Sequence, residues 1–188
     1  MVIFDNFLAT RNFFTAAFIF LVMALTGCSA TSPLLPQGEI SSRENAIALL
    51  HCDRSVNTDN TTPPVEIYQS MVHCANKHAW GSAVLLFALA GSDSWYYATT
   101  TGSPEAKKQH SVLLAEAMQR LNHQPRQQLW QHIQATLGDT QQLTKVCQIL
   151  RLTGHPDYSI TPEKRTEINP DEYWQAALKN YLHCAVNR

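Results

Sequence analysis

From residue 43 onward, apolar residues recur every three or four positions, which is the period of a helix buried along one side. The pattern predicts helices over about residues 43–52, 63–78, 80–90, 103–121, 125–138, 139–154 and 169–185. Ala, Leu and Gln are abundant and Gly is scarce, which also favours helices over strands. We therefore predict one all-α domain of six to eight antiparallel helices, arranged as helical hairpins or an orthogonal bundle.

Residues with capping chemistry mark the ends of these helices. Ser42, Asp139 and Asn169 each precede a periodic stretch and are predicted N-caps. Gly91 follows the apolar stretch 80–90, so we expect it to end that helix in a left-handed conformation, with residues 92–97 forming a separate short helix or turn. Short connections predict that the helices over residues 103–154 are antiparallel neighbours. The last helix has a continuous apolar face and is predicted to be central to the core: Tyr173, Trp174, Ala177, Leu178, Tyr181, Leu182 and Ala185.

Ala83, Phe87 and Ala90 are spaced four and three apart on one predicted helix. This spacing is similar to the second helix of a tetratricopeptide repeat. The corresponding first-helix signature is largely absent, and no second copy follows about 34 residues later. The segment is interpreted as a close-packed helical hairpin, with a true repeat as the alternative.

An uncharged run near the start of the chain has a different pattern. Thirteen apolar or small residues, from Phe13 to Leu25, form a stretch too short to span a membrane comfortably but typical of a secretory signal. The run ends in Leu25-Thr26-Gly27-Cys28, which resembles a bacterial lipobox. An uncleaved anchor helix and an ordinary leader cut at a small-residue site are the two alternatives.

The lipobox resemblance implies an address for the chain. Residues 1–27 would be a lipoprotein signal peptide, residues 28–42 the lipidated Cys28 with a flexible tether, and residues 43–188 a periplasmic domain. Ser29 follows the lipidated position and implies release to the outer membrane, on its periplasmic face. Several acyl chains on Cys28 would form a durable membrane anchor.

The other four cysteines form an even set suited to disulfides in an oxidising compartment. Three pairings are possible. We favour Cys147–Cys184, because both lie on inward faces, and Cys52–Cys74, because the loop between them can fold over a hairpin. A single bridge and free buried thiols are the alternatives. No Cys-x-x-Cys pair is present, so the spacing does not predict a zinc finger.

Charge and motifs exclude several function classes. The formal net charge is −1 and no block of Lys or Arg occurs, which argues against nucleic-acid binding. We find no metalloprotease, hydrolase, phosphate-loop or dinucleotide signature. The eight histidines are not spaced as paired ligands on one helix face, so neither a metal site nor a cofactor is expected. Asp93 beside aromatic residues and His155 are the best candidates for an enzyme.

These observations favour a lipid-anchored interaction module that holds a periplasmic protein, as an envelope adaptor or a toxin-immunity protein would. The alternatives are a structural envelope lipoprotein or an enzyme acting on peptidoglycan, sugar or lipid. Consecutive helical residues are rotated by roughly 100° and cannot all face one core. We therefore expect Trp95, Tyr96 and Tyr97 to line a partner-binding surface together with Tyr158, which lies in the connection 155–168.

Replacing Cys28 by Ser should abolish lipidation, because serine offers no thiol for the acyl-carrying linkage. Metabolic labelling with a tagged fatty acid should mark the wild-type chain and leave Cys28→Ser unlabelled and mislocalised. Equal label in both chains would contradict the assignment of the lipobox.

Overall fold

The computed structural model describes residues 34–36, 38–102, 104–157 and 169–185. Over these residues the chain forms a single all-helical domain, as the sequence predicts, with seven helices and no strand. No helix in this part of the chain is both long enough and apolar enough to cross a membrane. The helices are α1 (Arg43–Ala48), α2 (Pro64–Asn76), α3 (Trp80–Thr101), α4 (Pro104–Gln119), α5 (His123–Gly138), α6 (Thr140–Thr153) and α7 (Pro170–Leu182).

Helix α3 is the centre of the domain. Every residue from 83 to 94 is buried, so this part of the helix is covered on all sides. A helix that is apolar around its whole circumference requires neighbours on every face. Here α2, α4, α5, α6 and α7 all pack against α3, while α1 packs on α6.

The expected helix end at Gly91 is wrong. Helix α3 continues through residues 92–97 to Thr101 and ends at Gly102, whose φ of 66° is the left-handed conformation that glycine favours. Gly91 has a different role, because a Cβ at this position would overlap the ring of Tyr181 from α7. The missing side chain therefore lets α7 approach α3 closely.

Helices α2 and α3 form the hairpin that the sequence predicts. His78 follows α2 with a φ of 57°, and Ala79 N donates to Cys74 O at 3.0 Å. His78 N donates to Ala75 O at 3.0 Å, which completes a Schellman motif. This tight turn sends α3 back along α2.

Two disulfides join different elements of the fold, and they are the two pairs that the sequence favours. Cys52, in the loop after α1, is bonded to Cys74 of α2, with a Cα–Cα distance of 5.5 Å. Cys147 of α6 is bonded to Cys184, with a Cα–Cα distance of 5.7 Å. Left-handed His183 turns the chain after α7, and Cys184 N then donates to Leu178 O at 3.3 Å.

The segment expected to be a flexible tether is packed on the domain where the structure describes it. Leu35 and Ile40 are buried. On α6, Lys145 Nζ donates to Pro36 O at 2.7 Å and Gln148 Nε2 donates to Ile40 O at 2.8 Å. Residues 35, 36 and 40 therefore already contact the domain ahead of its predicted start at residue 43.

The predicted caps agree with the structure. The side chains of Ser42, Asp139 and Asn169 accept from the backbone N–H groups three residues further on. Some bounds and neighbours differ: α1 ends at Ala48, α5 begins at His123, and α4 packs mainly on α2 and α3 instead of on α5. The reason for the last difference is the central position of α3, which offers a larger apolar surface than α5.

The prediction that the last helix is central is confirmed. Trp174, Ala177, Leu178 and Leu182 of α7 are buried, and Trp174 Nε1 donates to Leu150 O of α6 at 3.2 Å. Ala185, beyond the helix end, is exposed instead of continuing the buried face.

Candidate functional site

An apolar groove runs between α3, α5 and α7. Its volume is about 450 Å³ and it is open to solvent. This volume lies within the range of about 300–1,000 Å³ that is usual for ligand pockets. The lining residues are Phe87, Trp130, Ile133, Gln134, Leu137, Gly138, Tyr181 and Leu182.

Helix α5 supplies one wall of the groove. Trp130, Ile133 and Leu137 are three and four residues apart, so they share one helix face. Ile133 is buried, whereas Trp130, which also lines the groove, is 44% exposed. The apolar stripe of α5 is therefore wider than the core requires. In the sequence, Trp130 recurs at helical spacing with Leu129, Ile133 and Leu137, and the width of this stripe is the available signal of a surface site.

Tyr181 of α7 forms part of the groove floor and is held on several sides. Its ring centroid lies 6.4 Å from Phe87, 6.3 Å from Trp95 and 5.0 Å from His110. Its hydroxyl oxygen lies 3.3 Å from His110 Nε2. With Gly91 directly behind it, the ring is positioned by packing and by a hydrogen bond.

His110 of α4 joins two tyrosines beneath the groove. Its Nδ1 lies 2.6 Å from the Tyr68 hydroxyl, and its Nε2 faces Tyr181. Burial lowers the pKa of His110 and raises the pKa of both Tyr68 and Tyr181 above their usual values. A neutral imidazole has one donor and one acceptor, so it can hold both hydroxyls without any charge. This arrangement connects α2, α4 and α7.

Asp93, a candidate from the sequence, is unsuited to substrate binding. It lies inside α3 with 2% exposure, and its Oδ1 has no hydrogen-bond partner. Burial raises the pKa of this carboxyl well above its ordinary value. His155, the other candidate, stacks on Tyr96 with ring centroids 6.0 Å apart, and its Nδ1 lies 3.7 Å from Asp157 Oδ1. Within the described residues, Asp93 and His155 therefore share no hydrogen bond and do not form a catalytic pair with each other.

The predicted aromatic surface is only partly present. Tyr97 is 37% exposed and Trp95 is half-buried beside Tyr181. Tyr96 is buried, stacked on His155 and edge-on to Trp174, so its assignment to a partner-binding surface is wrong. It lies on the side of α3 that α7 covers. Tyr158 lies outside the described residues.

Ser55, His73 and Asp53 cluster at the surface but do not form a catalytic triad. His73 Nε2 lies 2.8 Å from Asp53 Oδ2 and 3.1 Å from Ser55 Oγ. A triad uses the two ring nitrogens separately, one to orient the imidazole and one to accept the serine proton. Here one nitrogen faces both groups, and Ser55 Oγ donates to Asp53 Oδ1 at 2.6 Å. The hydrogen bond from Ser55 lowers the pKa of Asp53 most, and the hydrogen bond from His73 lowers it further.

Replacing Asp93 by Asn should change how stability depends on pH. A carboxyl whose pKa is raised on folding stabilises the protein in acid, and this contribution is lost as pH rises above the unfolded pKa of 3.8. Relative to Asp93→Asn, the wild type should lose about 1.4 kcal/mol for each pH unit until the carboxyl ionises. Urea unfolding between about pH 4 and about pH 8 measures this difference.

Ser92→Ala is the matched control for Asp93→Asn. Ser92 is the preceding residue and is also buried with an unpartnered side-chain oxygen, but it does not titrate. Its substitution should shift the stability profile without changing its slope relative to the wild type. Parallel profiles for the wild type and Asp93→Asn would show that Asp93 is not a buried neutral acid.

Comparison with protein-family models, with curated proteins and with solved structures finds no match for this chain. The function proposed below therefore rests on the residues of this chain and on their geometry.

Proposed function

We propose that this protein is a lipid-anchored interaction module of the envelope, of the adaptor or toxin-immunity type. Lipid on Cys28 holds it at the periplasmic face of the outer membrane. The groove between α3, α5 and α7 receives apolar side chains from a segment of a periplasmic protein. The observation that carries the proposal is this groove with Trp130 exposed at its opening.

The groove has the composition of a binding surface and not that of a reaction centre. Among the described residues, Tyr181 is the only ionisable side chain in its lining, and burial raises the pKa of that phenol. The Tyr181 hydroxyl also faces His110. General acid–base catalysis needs a group that exchanges a proton near the working pH. This lining can bind apolar groups but offers no such group.

Aromatic residues favour a protein segment as the occupant. Trp and Tyr are enriched among the residues that dominate protein–protein binding energy, particularly where they line well-packed pockets. Trp130 of α5, Tyr181 of α7 and Phe87 of α3 all line the groove. Gln134 is the polar side chain in the lining and offers an amide to the backbone of a bound segment. We therefore assign the partner as a segment with adjacent large apolar side chains and no charge at its centre.

The disulfides support export of the domain. Cys52–Cys74 and Cys147–Cys184 use all the cysteines of the described residues. Such bonds persist in oxidising compartments, of which the periplasm is one. This agrees with the address implied by the lipobox.

The packed segment before α1 limits how far the domain can move from its anchor. Leu34 already packs against the core. The chain from Cys28 to Leu34 can span at most about 20 Å even when fully extended. The proposed anchor therefore keeps the domain, at Leu34, close to the membrane surface, so the partner must come within reach of that surface.

A photo-crosslinking amino acid at position 130 should form an adduct with one envelope protein, because Trp130 borders the groove. The same substitution at Val112 of α4, which is 54% exposed, is the matched control and should give no such adduct. The measurement is crosslinking in intact cells followed by mass spectrometry of the adduct.

A second variant tests the groove itself. Leu137→Glu places a charge in the lining and should abolish the adduct formed from position 130, since burying an unpaired carboxylate is costly. Equal adducts from positions 130 and 112, or an adduct that persists with Leu137→Glu, would count against the groove as the binding site.

A further inference from the structure

Three potential metal ligands meet where the loop after α1 contacts the end of α2. Cys52 Sγ, a carboxylate oxygen of Asp53 and a ring nitrogen of His73 all lie within 4.8 Å of one another. Within the part of the chain that the structure describes, no other group of three such residues is as compact. All three side chains are half-buried to exposed, so an ion could reach them from solvent.

The fold assembles this cluster from two short sequence pairs. Cys52 and Asp53 are consecutive in the loop, and His73 and Cys74 are consecutive in the last turns of α2. The Cys52–Cys74 bond holds the loop against the helix. It also places Asp53 Oδ2 2.8 Å from His73 Nε2.

The sulfur chemistry decides whether this cluster can bind a metal. A thiolate is a strong ligand for zinc, whereas a disulfide sulfur carries no charge. The thiolate of Cys52, the imidazole of His73 and the carboxylate of Asp53 are three ligands of the kinds that a tetrahedral d¹⁰ cation takes, and a water molecule can fill the fourth position. We propose that reduction of the Cys52–Cys74 disulfide converts this corner into a binding site for a thiophilic divalent cation, Zn²⁺ in the first instance. In the disulfide form, His73 and Asp53 pair with each other instead.

Thiol–disulfide exchange with a dithiol reductant opens the Cys52–Cys74 bond. The dithiol passes two electrons and two protons to this bond. The reductant thereby becomes a disulfide, and the protein gains two thiols. Zn²⁺ then displaces the proton of the Cys52 thiol to solvent, Cys74 stays a thiol, and His73 binds as the neutral imidazole. Asp53 leaves its contact with His73 and binds through a carboxylate oxygen.

An entry route for the ion lies beside the cluster. An open polar hollow of about 570 Å³ is lined in part by Ser55, Glu66, Ser70 and His73. His73 belongs both to this hollow and to the ligand cluster. Hydrated ions can therefore approach the imidazole without any rearrangement of the core.

Replacing Cys74 by Ser gives a free Cys52 thiol without the use of a reductant. It frees Cys52 beside Asp53 and His73, while the Cys147–Cys184 bond remains. Cys184→Ser is the matched control, because it also breaks one bond and frees one thiol, that of Cys147. The full chain is used in detergent, with Cys28→Ser in every sample so that residue 28 supplies no thiol. Co²⁺ is the probe, because a bound thiolate gives it a charge-transfer absorption.

Cys74→Ser should bind one Co²⁺ with this absorption, and Zn²⁺ should displace it. Cys184→Ser and the chain with both disulfides intact should show no such band. Adding His73→Gln or Asp53→Asn to Cys74→Ser should weaken Co²⁺ binding by roughly tenfold or more. Loss of an outer-shell partner alone typically lowers metal affinity by about 10- to 100-fold, and these two residues are proposed as direct ligands. Equal binding in the Cys74→Ser and Cys184→Ser chains, or no effect of the His73 and Asp53 substitutions, would overturn the proposal.

Reduced wild type provides a second measurement if Cys74→Ser does not fold. The reduced chain should bind Co²⁺ with the thiolate absorption, and His73→Gln should weaken that binding by a similar factor. Circular dichroism establishes that the helices persist after reduction. Co²⁺ binding that is unaffected by His73→Gln would again overturn the proposal, because it would show that free thiols alone account for the binding.

Discussion

The close approach of α7 to α3 at Gly91 is the constraint on which the rest of the structure depends. The ring of Tyr181 occupies the space that any other side chain at position 91 would need. This contact lets α7 cover the last open side of a helix that is buried throughout its middle. It also sets the groove floor, because the same Tyr181 ring lies between Phe87 and His110. Core packing and the proposed binding surface therefore share one side chain.

The disulfides cross-link two pairs of elements that are distant in the chain. One ties the loop after the short α1 to α2 across 22 residues, and the other ties α6 to the residue beyond α7 across 37 residues. By chain-entropy estimates each contributes roughly 3–4 kcal/mol to stability. The second bond matters for the groove, since it holds the end of α7 against α6 just after Tyr181 and Leu182. The first bond matters for the proposed cation site, since it brings Asp53 to His73.

Much of the fold can be predicted from the sequence because local chemistry determines it. Ser42, Asp139 and Asn169 each precede a helical stretch and cap it with the side chain. The apolar residues of α7 recur every three or four positions, which requires that one face of the helix be buried. Gly91 shows the limit of such reasoning. Glycine serves both a left-handed helix end and a close helix contact, and the residues around position 91 do not distinguish these roles. The contact that decides between them comes from Tyr181, which is 90 residues away in the chain.

The candidate site was harder to predict for the same reason. Trp130 belongs to a regular apolar stripe, and only the position of α7 shows that the core ends before reaching it. Conversely, Tyr96 has the composition of a surface aromatic but is covered by α7 through Trp174. Leu35 and Ile40 lie among Pro, Gly and Ser residues typical of a tether, yet they are buried beside α6. Each of these assignments depends on contacts between distant parts of the chain.

The free energy of unfolding of Gly91→Ala, measured by urea denaturation beside Gly138→Ala, tests the central contact most directly. Alanine is favoured over glycine in a helix by about 1 kcal/mol, and no atom lies within 4 Å of a Cβ added at Gly138, so that variant should match or exceed the wild type. Overpacking against Tyr181 should outweigh this gain at position 91 and lower stability by about 1–2 kcal/mol net. If Gly91→Ala were as stable as Gly138→Ala, α7 would not depend on this close approach to α3.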